Sequence, residues 1–323
     1  MMNRRVILAL SFATIVAAGV VYAATVTDPP PWAYPVNPPD DAAPKDDGSA
    51  RHVPGSSLVL TLTQTTDRFN VPDWHPDDHP EMPEVVAHGK KPELYACGFC
   101  HLPNGQGRPE NASLAGLTPD YIEEQVAAFK SGDRKTSEPK MTPPGLMVGV
   151  AKAASDDDVK IAAEYFASLK QKPWIRVVEA DMVPKTHVTG SMLVVMQGGE
   201  MEPIGDRIIE TPENHERTEL RDAASGFIAY VPTGSIAKGE NIVKTGAAGK
   251  TTQCAVCHGS DLKGVGDVPT LAGRSPSYIV RQLVDIQDGS RSGLSVAPMK
   301  PIVAKLSLSD MVAIAAYASS RTP

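Results

Sequence analysis

The sequence predicts a mainly α protein, in which two copies of one helical module are joined by a partly β connector. The first observation is an internal repeat, since a shift of 157 residues carries Cys97 onto Cys254 and keeps many later positions matched. The second is a set of matched helix starts, and the third is a series of short β-like runs between the modules. The matched positions are His101 and His258, Gly107 and Gly264, 114–116 and 271–273, Pro119 and Pro276, Tyr121 and Tyr278, Gln125 and Gln282, Gly132 and Gly289, and Arg134 and Arg291.

The first 23 residues have the three parts of an export signal. Arg4 and Arg5 form a basic start, residues 6–21 are almost wholly apolar, and Ala23 offers a small residue for cleavage. An uncleaved membrane anchor is the alternative, although the apolar run is short for a full span. The sequence therefore predicts a signal peptide at 1–23 and a periplasmic protein with no membrane span after cleavage.

An extended N-terminal segment, either lying on a domain or disordered, is predicted at 24–81, because proline and aspartate dominate its first half. A short strand-like run follows at 57–62. Further on, His75 and His79 stand among aspartates, a composition that can bind a metal ion. A solvated, proline-rich turn is the alternative there, since no helix or hairpin organises the side chains.

The two modules are predicted at 82–172 and 235–323. In the first, a helix leads to Cys97, with a break expected at Pro92. In the second, a helix begins at Ser235. The later helix starts share a serine or threonine cap, at Thr118 and Ser155 in the first module and at Ser275 and Ser307 in the second.

The connector at 173–234 differs in composition from both modules. Its strand-like runs lie at 175–178, 192–196, 207–209 and 227–231, separated by glycine and proline. The stretch is too long and too apolar for a flexible tether, so an ordered, partly β connector is expected.

Each half contains the pattern C-x-x-C-H, the attachment signature of haem c. Two thiols add across the two vinyl groups of one porphyrin, and the following histidine supplies the proximal ligand of the iron. The chain has no cysteines outside the two patterns, which contain Cys97, Cys100, Cys254 and Cys257. We therefore expect two covalently bound haem c groups, with His101 and His258 on the irons. Structural zinc and a thioredoxin-like redox pair are the alternatives.

The sixth ligand of each iron decides between electron transfer and catalysis, because a methionine sulfur closes the face that a substrate would need. Met299 has Ser307 eight residues on, and Met147 has Ser155 eight residues on, so this spacing selects the pair as ligands. Met141 is the main alternative in the first module. The remaining candidates are His75, His79 and His88.

The order of features in each half resembles a class I cytochrome c: a helix, C-x-x-C-H, a middle helix after Leu-Ala-Gly, a methionine loop and a last helix. The tandem is similar to di-haem cytochromes of the c-four type, whose Y-x-x-x-Q arrangement occurs here twice. The resemblance covers 82–171 and 235–322. It implies two class I cytochrome c domains with one haem in each, and it covers neither the N-terminal segment nor the connector.

The resemblance also makes a packing expectation. In such modules the first helix crosses the last at a glycine. Gly89 and Gly239 are therefore expected near Tyr165 and Tyr317, respectively.

The predicted function is single-electron transfer between redox partners, with no catalytic residues. The formal net charge of -7 and the lack of a basic run argue against nucleic-acid binding. The expected partners are a dehydrogenase as electron donor and an oxidase or another cytochrome as acceptor. Two alternatives stay open: a di-haem peroxidase with one accessible iron, and a haem-bearing subunit of a periplasmic dehydrogenase complex, docked through the connector.

Overall fold

The computed structural model describes residues 28–41 and 45–323 of the chain. The predicted signal peptide at 1–23 lies outside these ranges. None of the helices within them is long and apolar enough to cross a membrane. Helices build both modules, and the strands lie between residues 175 and 231. The mainly α class with a partly β connector is therefore confirmed.

Within residues 28–41 and 45–81, the N-terminal segment has buried side chains that pack against the rest of the chain. Helix α1 (Leu62–Thr65) makes one turn. The strand expected just before it is wrong, because the backbone there forms an isolated bridge between Arg51 and Leu60. Tyr34 is buried, and its hydroxyl donates to the Asp285 carboxylate at 2.7 Å. An aromatic side chain thus anchors the proline-rich stretch in the second module.

The first module has short helices around its cysteine pair and longer helices behind it. Their bounds are α2 Glu84–Ala87, α3 Cys97–His101, α4 Pro119–Ser131, α5 Thr142–Ala153 and α6 Asp156–Ser168. The predicted starts of α4 and α6 are confirmed: the Thr118 hydroxyl caps α4, and Ser155 with Asp158 forms a capping box at α6. Helices α5 and α6 both pack against α4.

The connector forms a small mixed sheet and two antiparallel strand pairs. Its elements are β1 Ile175–Glu179, β2 Met182–Pro184, β3 Thr186–Thr189, β4 Met192–Val195, β5 Met201–Pro203, β6 Ile209–Pro212, α7 His215–Glu219 and β7 Phe227–Val231. Strand β7 is central, parallel to β1 and antiparallel to β6, while β2 pairs with β5 and β3 with β4. Alternate side chains of β7 are buried, as expected for a strand that packs on one face.

The second module repeats the helical order around a larger core. Its helices are α8 Ser235–Thr245, α9 Ala255–His258, α10 Pro276–Asp288, α11 Met299–Val303 and α12 Leu308–Ser319. As predicted, Ser275 caps α10, and Ser307 with Asp310 forms a capping box at α12. Helix α12 is buried along almost its whole length and packs against α8 and α10.

The crossing of α8 with α12 is built around Gly239, as the resemblance implied. A Cβ at Gly239 would clash with the carbonyl oxygen of Ala313 and would lie 2.8 Å from the Cβ of Tyr317. Because hydrogen is the only side chain that fits, glycine permits the two backbones to approach this closely.

The corresponding expectation for Gly89 is wrong. Helix α2 is a single turn that ends before Gly89, so the helix expected ahead of the first cysteine pair is mostly absent. The 157-residue shift sets Met82, a long side chain, at the position of Gly239, which prevents the same close crossing. It matches Gly89 with Gly246 instead, and both have positive φ, 62° and 71°, in the turn after the first helix.

The segment that carries the candidate methionine differs between the modules. The resemblance implied a loop in both, but the first module has the 12-residue helix α5, and Met147 lies in its middle. In the second module, the five-residue helix α11 begins at Met299. The longer stretch of chain between Arg134 and Met147 is taken up by the additional turns of α5.

The modules meet at the turns that follow α4 and α10. Arg134 and Arg291 form an antiparallel bridge there. Two hydrogen bonds flank it, from the Lys135 N–H to the Ser290 carbonyl at 2.8 Å and from the Ser292 N–H to the Asp133 carbonyl at 2.7 Å. Equivalent positions exchange equivalent bonds, so the two turns are related by an approximate twofold axis.

Candidate haem-binding site

Both cysteine–histidine patterns face one cavity of about 880 Å³ that runs between the modules. Protein interiors are close-packed, so a space of this size, lined largely by aliphatic and aromatic side chains, suits large planar prosthetic groups. All site residues predicted from the sequence line it, namely Cys97, Cys100, His101, Met147, Cys254, Cys257, His258 and Met299. The fold therefore brings together residues that lie up to 202 positions apart, from Cys97 to Met299.

Each pattern histidine is held through one ring nitrogen. His101 Nδ1 lies 2.8 Å from the Ala112 carbonyl oxygen, and His258 Nδ1 lies 2.8 Å from the Pro269 carbonyl oxygen. Because a carbonyl only accepts, each Nδ1 carries the proton, and each Nε2 is the nitrogen left to bind a metal. Burial lowers the pKa of both imidazoles and so favours the neutral ring that an iron ligand requires.

None of the four cysteines forms a disulfide bond. Burial raises the pKa of the Cys97 thiol to about 12 and that of the Cys254 thiol to about 11. A thioredoxin-like pair needs a lowered thiol pKa, so this environment argues against that alternative. Zinc would need additional ligands, and within 28–41 and 45–323 no group of three or more His, Cys, Asp or Glu side chains is placed to hold a metal ion.

The two methionines that compete in the first module lie in different places. Met147 lines the cavity, together with Val150 of the same helix. Met141 precedes α5, is fully buried, and belongs to the hydrophobic core of the second module. Met141 does not line the cavity, so its sulfur serves the packing between modules.

The three histidines considered as alternative ligands, His75, His79 and His88, are engaged elsewhere, and none of them lines the cavity. His75 Nε2 lies 2.8 Å from an Asp222 carboxylate oxygen. His79 lies 3.1 Å from Asp73 and also 3.1 Å from the Tyr165 hydroxyl. His88 lies 3.3 Å from the Phe69 carbonyl. The stretch that could have bound a metal ion instead forms side-chain pairs that hold the N-terminal segment in place.

The Y-x-x-x-Q positions meet across the module boundary. The Arg134 guanidinium donates to Gln125 of its own module at 2.8 Å, and to Tyr278 and Gln282 of the other module at 2.7 and 3.1 Å. The sequence matched Arg134 with Arg291 in the repeat but did not indicate that these arginines connect the tyrosines and glutamines.

Arg291 makes the symmetric set of contacts. It donates to Gln282 of its own module at 3.0 Å, and to Tyr121 and Gln125 of the other module at 3.1 and 2.8 Å. Its Nε is buried and has no hydrogen-bond partner. The two buried guanidinium groups line the cavity, where their charge complements the carboxylates that a haem carries.

A second cationic cluster lies beside the first cysteine pair, and sequence reasoning missed it. Arg221 of the connector stacks over the Phe99 ring at 3.5 Å and donates to the Phe99 carbonyl at 2.8 Å. Burial, and then the neighbouring Arg108, lower the pKa of Arg221 to about 9. Arg108 itself pairs with Glu110 at 2.5 Å. The replacement of Val265 in one module by Arg108 in the other was the available sequence signal.

The chain is similar in sequence to several cytochromes. A family model described as cytochrome c matches residues 237–321. Cytochrome c-554(548) of Halomonas halodenitrificans is 36% identical over 89 residues, which make up 27% of this chain and 98% of that protein. Cytochrome c4 of Pseudomonas aeruginosa is 25% identical over 225 residues, or 68% of this chain and 81% of that protein.

A third relative is named for a role as an electron acceptor. The protein named thiosulfate dehydrogenase electron acceptor, from Thiomonas intermedia, is 26% identical over 235 residues, or 71% of this chain and 80% of that protein. The chain therefore belongs to the cytochrome c family, as a di-haem class I cytochrome that binds two haem c groups covalently and transfers electrons.

Proposed function

We propose that the protein is a periplasmic electron carrier in which each module holds one haem c, with histidine and methionine as axial ligands. The observation that carries this proposal is the single cavity lined by both cysteine pairs, both pattern histidines and both selected methionines. The proposed domains are 82–172 and 235–323, joined by the connector at 173–234 and preceded by the segment at 24–81.

The proposed ligand sets are equivalent. The first haem is bound by Cys97 and Cys100, with His101 and Met147 on the iron. The second haem is bound through the same residue types: Cys254, Cys257, His258 and Met299. The iron supplies one-electron exchange between Fe(III) and Fe(II); the chain holds the ring, excludes water and supplies the charges that set the reduction potential.

The lack of an enzymatic role is part of the proposal. A thioether on both irons leaves no open position at which peroxide could react. The matched histidine environments support this, because a peroxidase needs one iron that differs from the other. We therefore do not favour the di-haem peroxidase.

A haem-bearing subunit of a periplasmic dehydrogenase complex is the second candidate. The relative from Thiomonas intermedia is named as the electron acceptor of thiosulfate dehydrogenase. By analogy, a dehydrogenase is the proposed electron donor, and an oxidase or another cytochrome the proposed acceptor. Co-purification with a dehydrogenase under native conditions favours the subunit, whereas isolation as a single chain favours the free carrier.

Intact-mass spectrometry of periplasmic protein tests the proposal. The expected mass is that of a chain beginning at Ala24 with two haems attached, and haem staining should persist after denaturing electrophoresis. A chain with zinc and no haem overturns the proposal. Recovery of uncleaved chain in the membrane fraction overturns the periplasmic carrier in favour of the anchored form.

A further inference from the structure

The two cysteine–histidine segments have opposite exposures at equivalent positions. Phe99, between the first pair of cysteines, is 6% exposed, whereas Val256 is 67% exposed at the same position of the second module. Cys257 is exposed, whereas Cys100 is half-buried. Val265 is also well exposed, at 61%. The same local fold therefore presents an open surface in one module and a covered surface in the other.

The cover over the first module comes from residues 217–225 of the connector, here named the cap. Arg221 lies over the Phe99 ring, as described above. The Asn104 side chain donates to the Ala223 carbonyl at 2.7 Å. Arg108 donates to the Thr218 carbonyl at 3.3 Å. The cap thus contacts the cysteine–histidine segment through stacking and through hydrogen bonds spread along that segment.

The cap is held in place by the N-terminal segment. The Trp74 indole N–H donates to the Leu220 carbonyl at 2.7 Å, and both side chains are buried in one hydrophobic cluster. Asp222 accepts from His75 at 2.8 Å and from Arg217 at 2.7 Å. Both segments outside the repeat therefore cooperate to close the first module, and opening the cap would expose buried apolar and charged groups.

The corresponding surface of the second module, here named the open face, consists of Val256, Cys257, Asp261, Val265 and Asp267. Asp261 Oδ1 and Val265 Cγ2 lie 3.3 and 3.6 Å from the Cβ position at Gly259, so the apolar and acidic groups are adjacent. Both carboxylates are exposed. The exposed Lys263 lies between the two aspartates in the chain, and its Nζ donates to the Pro323 carbonyl oxygen at 3.0 Å. Two carboxylates against one ammonium leave an apolar centre with a weakly acidic rim, on a chain whose formal net charge is -7.

We propose that a redox protein with an apolar centre and a basic rim docks on the open face, and that the capped first module exchanges electrons only through the second. The inference rests on the proposed function. Its physical basis is distance: a haem attached at the exposed Cys257 would be within reach of a docked partner, while the cap keeps a partner away from Cys100. Opposite charge at the rim speeds association without requiring a large interface.

Reduction by a basic single-haem cytochrome c, used as the probe in stopped-flow absorbance, tests the proposal. Each probe molecule gives up one electron, its iron passing from Fe(II) to Fe(III), so two probe molecules reduce one chain fully. Val256→Lys places a positive charge at the centre of the open face. We expect it to slow the reduction of both haems by about tenfold or more, because like charges oppose docking.

The matched control is Val59→Lys, the same change at a valine that is 52% exposed in the N-terminal segment. It should leave the rate constant within about twofold of wild type. A third variant, Ala224→Lys, adds the same charge to the exposed surface of the cap and should be equally silent.

The fraction of the absorbance change that is slowed shows whether one haem or both depend on the open face. If half of the absorbance change keeps the wild-type rate in Val256→Lys, the first haem accepts electrons directly from the probe and the proposal is wrong. The proposal is also wrong if Ala224→Lys slows the reduction of the haems as much as Val256→Lys does. Haem content of each variant is measured first: fewer than two haems in the wild-type chain defeats the proposed function, whereas two haems with the wrong kinetics defeats only the docking proposal.

Discussion

His101 and His258 make the same hydrogen bond, at 2.8 Å to Ala112 and to Pro269, yet the cysteine before each histidine has different surroundings. The inner side of each pattern is set by the repeated sequence. The outer side is set by whatever lies beyond the repeat, which is the cap in one module and solvent in the other. A duplicated module can therefore preserve its cofactor pocket while the duplicates diverge in accessibility.

The largest expected effect comes from removing one cysteine pair at a time. Cys254→Ala with Cys257→Ala should leave one covalent haem, and Cys97→Ala with Cys100→Ala should leave the other, because each ring has its own attachment site. Intact-mass spectrometry measures the loss directly. A double variant that still carried two haems would mean that the modules are not independent in attachment.

Loss of an axial sulfur should be the next largest effect. Met147→Ala and Met299→Ala should each abolish the methionine-to-iron charge-transfer band of one haem and lower its reduction potential, because a thioether favours Fe(II). Met141→Ala is the matched control: it should keep the band but destabilise the fold by roughly 2–5 kcal/mol, as expected for a buried core methionine. The reverse pattern for Met141 and Met147 would show that the ligand in the first module is misassigned.

The helix crossing that exists in one module predicts a stability difference. Gly239→Ala should lower the free energy of unfolding by about 1–3 kcal/mol or more, because a Cβ would clash with the Ala313 carbonyl. Gly149→Ala, in α5, meets nothing within 4 Å and should stabilise by about 0.5–1 kcal/mol. Urea unfolding of both variants measures the contrast. Equal effects would mean that α8 can move away from α12.

The two capping boxes predict a pH dependence of different size. Burial alone would raise the pKa of Asp310, but hydrogen bonds from Lys250, Ser307 and Lys238 hold it well below its ordinary value. The pKa of Asp158 is also lowered, and Lys90 is the only lysine that pairs with this carboxylate among the described residues.

Because the folded-state pKa is depressed, the stabilisation is present above the unfolded-state pKa of about 4 and is lost as the pH falls below it. Asp310→Asn should therefore destabilise at neutral pH more than Asp158→Asn does. At about pH 3 the cost of each variant should shrink, since the wild-type contribution is then being lost. The free energy of unfolding at both pH values measures this. If the loss of stability in each variant did not change with pH, the effect would come from packing and not from the ionised carboxylate.

The smallest expected effect comes from removing Arg221, the cap residue that lies over Phe99. Arg221 stays cationic at neutral pH, since its lowered pKa is still about 9. Arg221→Leu should lower the reduction potential of the first haem and leave the second unchanged, because a nearby positive charge favours Fe(II). Arg176→Leu removes a surface arginine of the connector and is the control. A potentiometric titration that shifts both haems equally would contradict a local effect.

The sequence alone was sufficient for the features that depend on short spacing. C-x-x-C-H contains its two thiols and its histidine within five residues, and the helix caps at Thr118, Ser155, Ser275 and Ser307 act within one turn. The spacing from Met147 to Ser155 also selected the methionine that lines the cavity. These relations are local, so the repeat carries them from one module to the other.

Only the tertiary structure decided the relations that cross segments. The close crossing of α8 with α12 at Gly239 has no counterpart in the first module, where α2 is a single turn. Arg134 and Arg291 each donate hydrogen bonds to the opposite module. These bonds depend on how two turns meet, which no sequence spacing predicts. The burial of Phe99 depends on Arg221, 122 residues further along the chain. Local sequence determines which groups a segment offers, whereas their partners and their access to solvent depend on how distant segments pack.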